Sequence, residues 1–384
     1  LKTSPKRINF IAVQQSQGTF ADGYEATPLR TGYEQVVAQR TTKMFATSAD
    51  QAGEVVSVTG RAIHVRYKDG SEEKLPLGLN HGVATGVTFP HTLTTQFKAG
   101  DTFKRGDTLA YNSKYFTYDR LVPNQVVWKA GVMCTVAMID NIDTLEDGSA
   151  ISEETAKKLT TQTTEVRVVQ VGFEQAVHDL VKVGDHVELD SILCTIEDPE
   201  TADQTLFGDA ALDTLKRLQH ATPRAKVVGR VSKIECFYHG DMDDLSENLQ
   251  LLASESDKER KKRARALGTK AFTGQVDTSF RIRGKALDPD TFAIKIYIDH
   301  DVVAGVGDKA VFANQLKTVF SRTYSGYNKT EDKRDIDAIF GRLSVEARIV
   351  HSPTLIGVTN MLLDVLSKHV ASVYKGDTNE RAKR

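Results

Sequence analysis

Gly305–Lys317 reads GVGDKAVFANQLK and follows, a few residues on, the alternating run Phe292-Ala293-Ile294-Lys295-Ile296-Tyr297-Ile298. Period-2 alternation puts Ile294, Ile296 and Ile298 on one face of a strand. Gly307-Asp308 then supplies turn chemistry: glycine takes positive φ without steric cost, and a short carboxylate can bond nearby backbone. That turn sets Lys309 at the lip of a sheet, with Lys317 eight residues later. Two ammonium groups on one rigid edge suit phosphate. Gly-Asp-Lys is equally an ordinary surface turn, so the rest of the chain must decide between the readings.

Working outward, composition narrows the choice. A chain of 384 residues suggests two or three domains of roughly 100–200 residues each. Fifty Lys and Arg against 51 Asp and Glu leave a net charge of -1, so no global field favours a polyanion and any nucleic-acid surface must be local. Cys134, Cys194 and Cys236 lie far apart with no CxxC pair, which predicts buried free thiols in a reducing compartment and no structural zinc. No apolar run approaches the ~18–20 residues of a membrane span, and no signal-peptide pattern opens the chain.

Residues 1–52 are polar and punctuated by Pro5, Gly18, Gly23, Pro28 and Gly32, a loop-rich opening segment that packs on something else. Within it, ATPLRTGYE places Arg30 beside a Thr-Gly step, where it reads first as a solvated loop charge. From Gly53 the pattern is β, with a hairpin closed at Lys68-Asp69-Gly70-Ser71. A phrase then occurs twice, FKAGDTFKRGDTLA at Phe97–Ala110 and VKVGDHVELDSILCT at Val181–Thr195. Each has a Lys-x-Gly-Asp turn followed by a buried leucine, Leu109 or Leu193, as in small sandwich-like barrels.

Between the copies, an apolar strand at Val132–Ile139 leads into NIDTLEDGSAISEE, with a helix starting at Ser152. Glu146 and Asp147 form an adjacent carboxylate pair, either solvated or facing a divalent cation or basic ligand. Strands return at Thr164–Val171 and Ala225–Tyr238, around a helix expected at Asp209–Gln219. Asp241–Leu267 is charged, with Leu245, Leu249 and Leu252 at helical spacing. It ends in KERKKRARALG, whose Lys261, Lys262, Arg263 and Arg265 read first as a solvated helix end and otherwise as a nucleic-acid contact. Pro353 opens a last helix expected to carry Leu355, Ile356, Met361, Leu362, Val365 and Leu366 inward, after an Arg348 flanked by apolar neighbours.

Six phrases in order, ATPL–TGYE, the Lys-x-Gly-Asp phrase, VAM–EDGSAISEE, the charged insertion, IKIYI–GDK with a second lysine eight on, and DAIFG–ARI, give a more specific signal than any alone. Their succession resembles the C-terminal half of the β subunit of multisubunit DNA-dependent RNA polymerases, over most of residues 20–360. Two departures stand out: Ala310–Leu316 replaces the family's Gly-, Arg- and His-containing run between the lysines, and Tyr24 replaces an arginine. The span of the match is most like the separate β-C-terminal polypeptide of the polymerases of giant bacteriophages.

The resemblance implies a β-rich α+β, multidomain chain: a double-psi β-barrel with sandwich-barrel hybrid and flap-like insertions. Residues 1–52 would pack on the barrel and partners, and 53–128 would form the sandwich-barrel hybrid. Residues 129–160 and 271–352 would make the double-psi barrel, 161–270 a flap-like region with its insertion at 241–267, and 353–384 a C-terminal helix and tail. Lys309 and Lys317 would hold phosphates of the RNA 3′ end and the initiating nucleotide. Arg348 would grip the incoming triphosphate, and Arg30 would lie on the nucleic-acid path. Glu146 and Asp147 would stand near a nucleotide-borne Mg²⁺, the catalytic Mg²⁺ being held mainly by the β′-like partner, whose NADFDGD-like run is absent from this chain. Expected partners are β-N-terminal-like and β′-like polypeptides, DNA template, RNA product, NTPs and a promoter-recognition subunit. The setting would be the cytoplasm of an infected bacterium or a virion. Two other classes compete: a non-catalytic scaffold of the carrier-domain type, for which no lysine-tipped Met-Lys-Met motif is found, and a single-strand-binding barrel, for which aromatics are too scattered.

Overall fold

A computed structural model describes residues 20–30, 32–84, 86–197, 222–282, 284–313, 316–326, 328–347 and 351–374. The helix expected at Asp209–Gln219 and the site residue Arg348 lie outside the described residues. The chain is β-rich, with several sheets and a few helices, and among the described residues no sheet closes into a barrel. It divides into two compact units, one of Leu1–Gln51, Phe103–Thr161 and Val302–Arg384, the other of Ala52–Thr102 and Gln162–Asp301. Residues 129–160 and 302–352 of the expected double-psi region thus share a unit, while 271–301 fall in the other.

In the second unit, the expected strand is Thr291–Val302, paired antiparallel with Gly229–His239. Alternation does its work here: Phe292, Ile294, Ile296 and Ile298 are fully buried among Val169, Val171, Cys236 and Tyr238. Each such side chain contributes about 1.5–3 kcal/mol by leaving water. Leu245, Leu249 and Ala253 close the core from the helix Glu247–Leu267 and its approach. Ser246 caps that helix, its Oγ accepting from Leu249 N–H, and Gly268 ends it at φ 66°. Strands Gly53–Val58, Ala62–Tyr67 and Glu72–Pro76 form an antiparallel meander, with the predicted Lys68–Ser71 turn closing its second hairpin.

The first unit holds a five-stranded mixed sheet in the order Val136–Met138, Ala338–Phe340, Gly148–Ser152, Leu316–Tyr324, Lys309–Phe312. Its two outer pairs differ in kind: Val136–Met138 runs parallel to Ala338–Phe340, whereas Lys309–Phe312 and Leu316–Tyr324 form an antiparallel hairpin. Parallel neighbours need long connections, and here about 200 residues separate them. Of the apolar run Val132–Ile139, only Val136–Met138 is strand. Asp337 ties the region together: its carboxylate accepts from Thr135 N–H at 2.8 Å and from Thr155 Oγ1 at 3.3 Å. The predicted helix start is Ser152, whose Oγ accepts from Thr155 N–H at 3.1 Å and opens Glu153–Lys158.

The Lys-x-Gly-Asp phrase proves to be one turn built four times, at 98–101, 104–107, 182–185 and 305–308. In each, glycine takes φ between 89° and 101°, at Gly100, Gly106, Gly184 and Gly307. In each, an aspartate carboxylate accepts from the N–H three residues back, at 2.7–2.9 Å, and its own N–H returns to that residue's carbonyl. Each turn docks by a reciprocal pair of backbone bonds, on Val55, Ala49, Val231 and Phe320 respectively. A side chain there would be strained at positive φ, so glycine is required. The fourth copy escaped the sequence pattern because Gly305 replaces lysine at its first position.

Two expectations need correction. The helix Ser352–Tyr374 forms, but among the described residues most of its expected inward face is uncovered: Leu355 is 66 % exposed, Leu362 61 % and Leu366 56 %, Met361 and Val365 are also exposed, and Ile356 is half-buried. Helical periodicity identified an apolar helix correctly; it could not say whether the surface that covers it belongs to the same polypeptide. Arg30 is likewise no free loop charge, because it pairs with Asp119.

Candidate functional site

Lys309 and Lys317 come together through strand register. In the hairpin, Lys309 opposes Val319 and Val311 opposes Lys317, so the lysines are diagonal neighbours. Along Leu316–Phe320 burial alternates, with Leu316, Thr318 and Phe320 buried and Lys317 and Val319 exposed. Lys309, Val311, Lys317 and Val319 therefore share the exposed face, with roughly 7–8 Å between the diagonal pair. Asp308 fixes the approach, its carboxylate accepting from Gly305 N–H at 2.8 Å.

The acidic pair lies at the same end of the sheet. Gly148 pairs with Val319, so Lys309, Val319 and Gly148 form one row across three strands, about 10 Å wide at the usual strand spacing. Glu146 and Asp147 immediately precede Gly148, and both are exposed. Glu146 has φ 54°, an unusual conformation for a non-glycine residue. Its carbonyl accepts a hydrogen bond from Ser344 Oγ, while the Asp147 carbonyl accepts from Thr318 Oγ1 at 2.8 Å and Val319 N–H at 3.0 Å. A Cβ on Gly148 would lie 2.9 Å from the Asp143 carbonyl, so the turn needs glycine there.

Three contributors were not singled out from sequence. The short helix Arg342–Glu346 brings Ser344 to the acidic turn, and Asp140 Oδ1 accepts from Leu343 N–H at 3.1 Å. Arg322 reaches Asp143 at 3.5 Å from the strand that carries Lys317. Only register, including the shift at Ser149/Ala150, places these groups, and register is not written in a local motif. Arg348 lies two residues beyond this helix's described end and outside the described residues.

Arg30 sits elsewhere in the unit. Its Nη1 donates to Asp119 Oδ1 at 3.2 Å, and Gln35 Nε2 and Leu121 N–H also donate to that buried carboxylate, each at 2.9 Å. Burial pushes the Asp119 pKa up, but these hydrogen bonds outweigh it and hold the carboxyl below its usual range. The guanidinium is 27 % exposed and its partner fully buried, so the pair is built into the fold.

No nucleophile emerges from the thiols. Burial first, then the charge of Asp337, pushes Cys134 up to about 12. The carboxylates Glu146 and Asp147 are two adjacent oxygen donors, and among the described residues no group of three or more His, Cys, Asp or Glu could hold a metal. Such a pair fits the flank of a hard cation anchored elsewhere rather than a closed cage. Among the described residues no helix is long and apolar enough to cross a membrane. No protein-family model matches the chain, and no curated protein matches it.

Proposed function

We propose that this chain is the β-C-terminal-like polypeptide of a multisubunit DNA-dependent RNA polymerase and supplies one side of its nucleotidyl-transfer site. The observation that carries this reading is the placement of Lys309 and Lys317 on one exposed hairpin face, with the Glu146-Asp147 turn leading into the strand paired directly with the one that carries Lys317. These are the residues that the family resemblance singles out, drawn from positions more than 150 residues apart. The mixed sheet, with its distant parallel pairs, supports a double-psi β-barrel completed in the assembly. Two of the four Gly-Asp turns, at 98–101 and 182–185, lie in the second unit and support sandwich-barrel hybrid and flap-like regions there.

In mechanism, the two ammonium groups neutralise phosphate oxygens of the RNA 3′ end and of the bound nucleotide. Charge is crowded there, and fixed cations lower the barrier to in-line attack without reorganising during the reaction. Arg348 clamps the incoming triphosphate with its planar fork of donors. Glu146 and Asp147 would offer carboxylate oxygens beside a nucleotide-borne Mg²⁺. When bound, Mg²⁺ supplies Lewis-acid stabilisation of the phosphoryl oxygens, and its principal ligands belong to a β′-like partner. Arg30, partly exposed and held by Asp119, lies on the nucleic-acid path in this reading. The exposed apolar residues Val311, Val319, Leu145 and Leu343 on or beside the lysine hairpin and acidic turn suit a face covered by that partner. Assembly takes place in the cytoplasm of an infected bacterium or in a packaged particle.

The test is to purify the tagged chain from its native setting and identify what comes with it by mass spectrometry. A stoichiometric polypeptide carrying an NADFDGD-like run, in a complex that makes RNA from a DNA template, is the expected result. A chain that purifies alone, or with no such neighbour, overturns the reading.

A further inference from the structure

The helix Glu247–Leu267 carries a concentration of charge that the proposed transfer site does not use. Its buried face is defined by Leu249, Ala253, Asp257 and Ala264. Lys258, Lys261, Lys262 and Arg265 fall within about 100° of one another around the helix, all exposed, and span about 10 Å along its axis. Glu259 is the lone acid in the run 258–270, and it is shared between Lys262 at 2.6 Å and Arg61 at 2.9 Å. Among the described residues Lys258, Lys261 and Arg265 have no ion-pair partner. Lys74 extends the stripe: a Cβ on Gly268, just past the helix end, would lie 3.7 Å from its Nζ. Arg260 and Arg263, in contrast, are spent on the fold, Arg260 on Asp257 and the Cys236 carbonyl, Arg263 on the Asn80 side chain.

The helix dipole accounts for cations only in the last turn, which covers Arg265 but not Lys258 or Lys261. Like charges side by side repel, and among the described residues no ion pair offsets Lys258, Lys261 or Arg265, Glu259 being taken up by Lys262 and Arg61. We infer that this stripe is a docking surface for the phosphate backbone of double-stranded DNA, independent of base sequence. Charge complementarity selects a polyanion, and the chain's net charge of -1 means that such attraction comes from local patches such as this one. The stripe has no aromatic side chain, so it lacks the stacking platform that single strands use. It also lacks the exposed apolar centre of a protein–protein interface. The inference stands on this helix alone and does not require the polymerase reading.

The test is fluorescence anisotropy of the full chain with a labelled ~20-base-pair DNA duplex, read across a salt series. Against it stands the variant Lys258→Gln, Lys261→Gln, Arg265→Gln, which keeps strong helix formers at exposed sites. Each lost phosphate contact lowers the slope of log affinity against log salt by about 0.9, so three should lower it by about 2–3. Affinity near 0.1 M salt should fall at least tenfold, with circular dichroism unchanged. Lys309→Ala with Lys317→Ala should leave this binding intact, separating the stripe from the proposed transfer site. An unchanged slope and affinity in the triple variant, no duplex binding by the intact chain, or equal binding of labelled single strands or poly-glutamate would overturn the inference.

Discussion

Lys309 and Lys317 stand diagonally across one antiparallel hairpin, each opposite a valine, on the face that the strand alternation leaves exposed. A slip of one residue in either strand would turn one lysine to the buried face. The turn that fixes this register is the fourth copy of a device used elsewhere for architecture alone.

That duplication allows a controlled comparison. Asp308→Ala and Asp185→Ala remove the same carboxylate–backbone hydrogen bond, so each should destabilise its unit by about 1 kcal/mol. In a reconstituted complex only Asp308→Ala should also reduce RNA synthesis, because only that copy is followed by Lys309. Thermal melts paired with synthesis rates check this; equal effects of both variants on synthesis would argue for a purely architectural turn.

Arg30→Met should cost about 1–3 kcal/mol of stability. It strips one partner from the buried Asp119, which keeps the hydrogen bonds from Gln35 and Leu121. The Asp119 pKa is lowered on folding, so its contribution is present above the ordinary value of 3.8 and is lost as pH falls through the folded value. The stability gap between wild type and variant should accordingly narrow in acid. Urea unfolding at pH 7 and at low pH measures it.

The thiols should resist alkylation in the native protein. Burial pushes Cys194 up to about 11 and Cys236 up to about 12. At pH 8 the thiolate is then on the order of one part in 10³–10⁴, before access is counted. A raised thiol pKa stabilises the fold below the ordinary value of 9.0 and is lost as pH rises through the folded value, so stability should decline above about pH 9. Iodoacetamide labelling followed by peptide mapping, with and without denaturant, tests the first point and alkaline melts the second.

Core and helix face should respond oppositely to substitution. Ile296→Ala should cost about 2–5 kcal/mol, since that side chain is fully buried. Leu355→Gln, on the exposed face of Ser352–Tyr374, should change the isolated chain's stability by no more than about 0.5 kcal/mol. Chemical denaturation of both variants separates the cases.

Local chemistry made much of this fold legible. Alternation located Ile294, Ile296 and Ile298, Gly-Asp pairs located turns, and Ser152 marked a helix start, because each is decided within a few residues of chain. What escaped was set by long-range pairing: the row Lys309, Val319, Gly148, the clasp by Asp337, and the contact from Ser344 to the acidic turn. Spacing named Lys309, Lys317, Glu146 and Asp147 as candidates, but only sheet register brings the two pairs to one end of one sheet. Arg30 shows the converse, since a loop arginine looks solvated until the buried carboxylate 89 residues away is seen.

The most direct measurement is RNA synthesis by the reconstituted multi-polypeptide complex carrying Lys309→Ala and Lys317→Ala together. The account predicts a complex that assembles and binds template as wild type does, yet makes essentially no transcript, because the phosphates lose both fixed cations. Full synthesis by that double variant would contradict it.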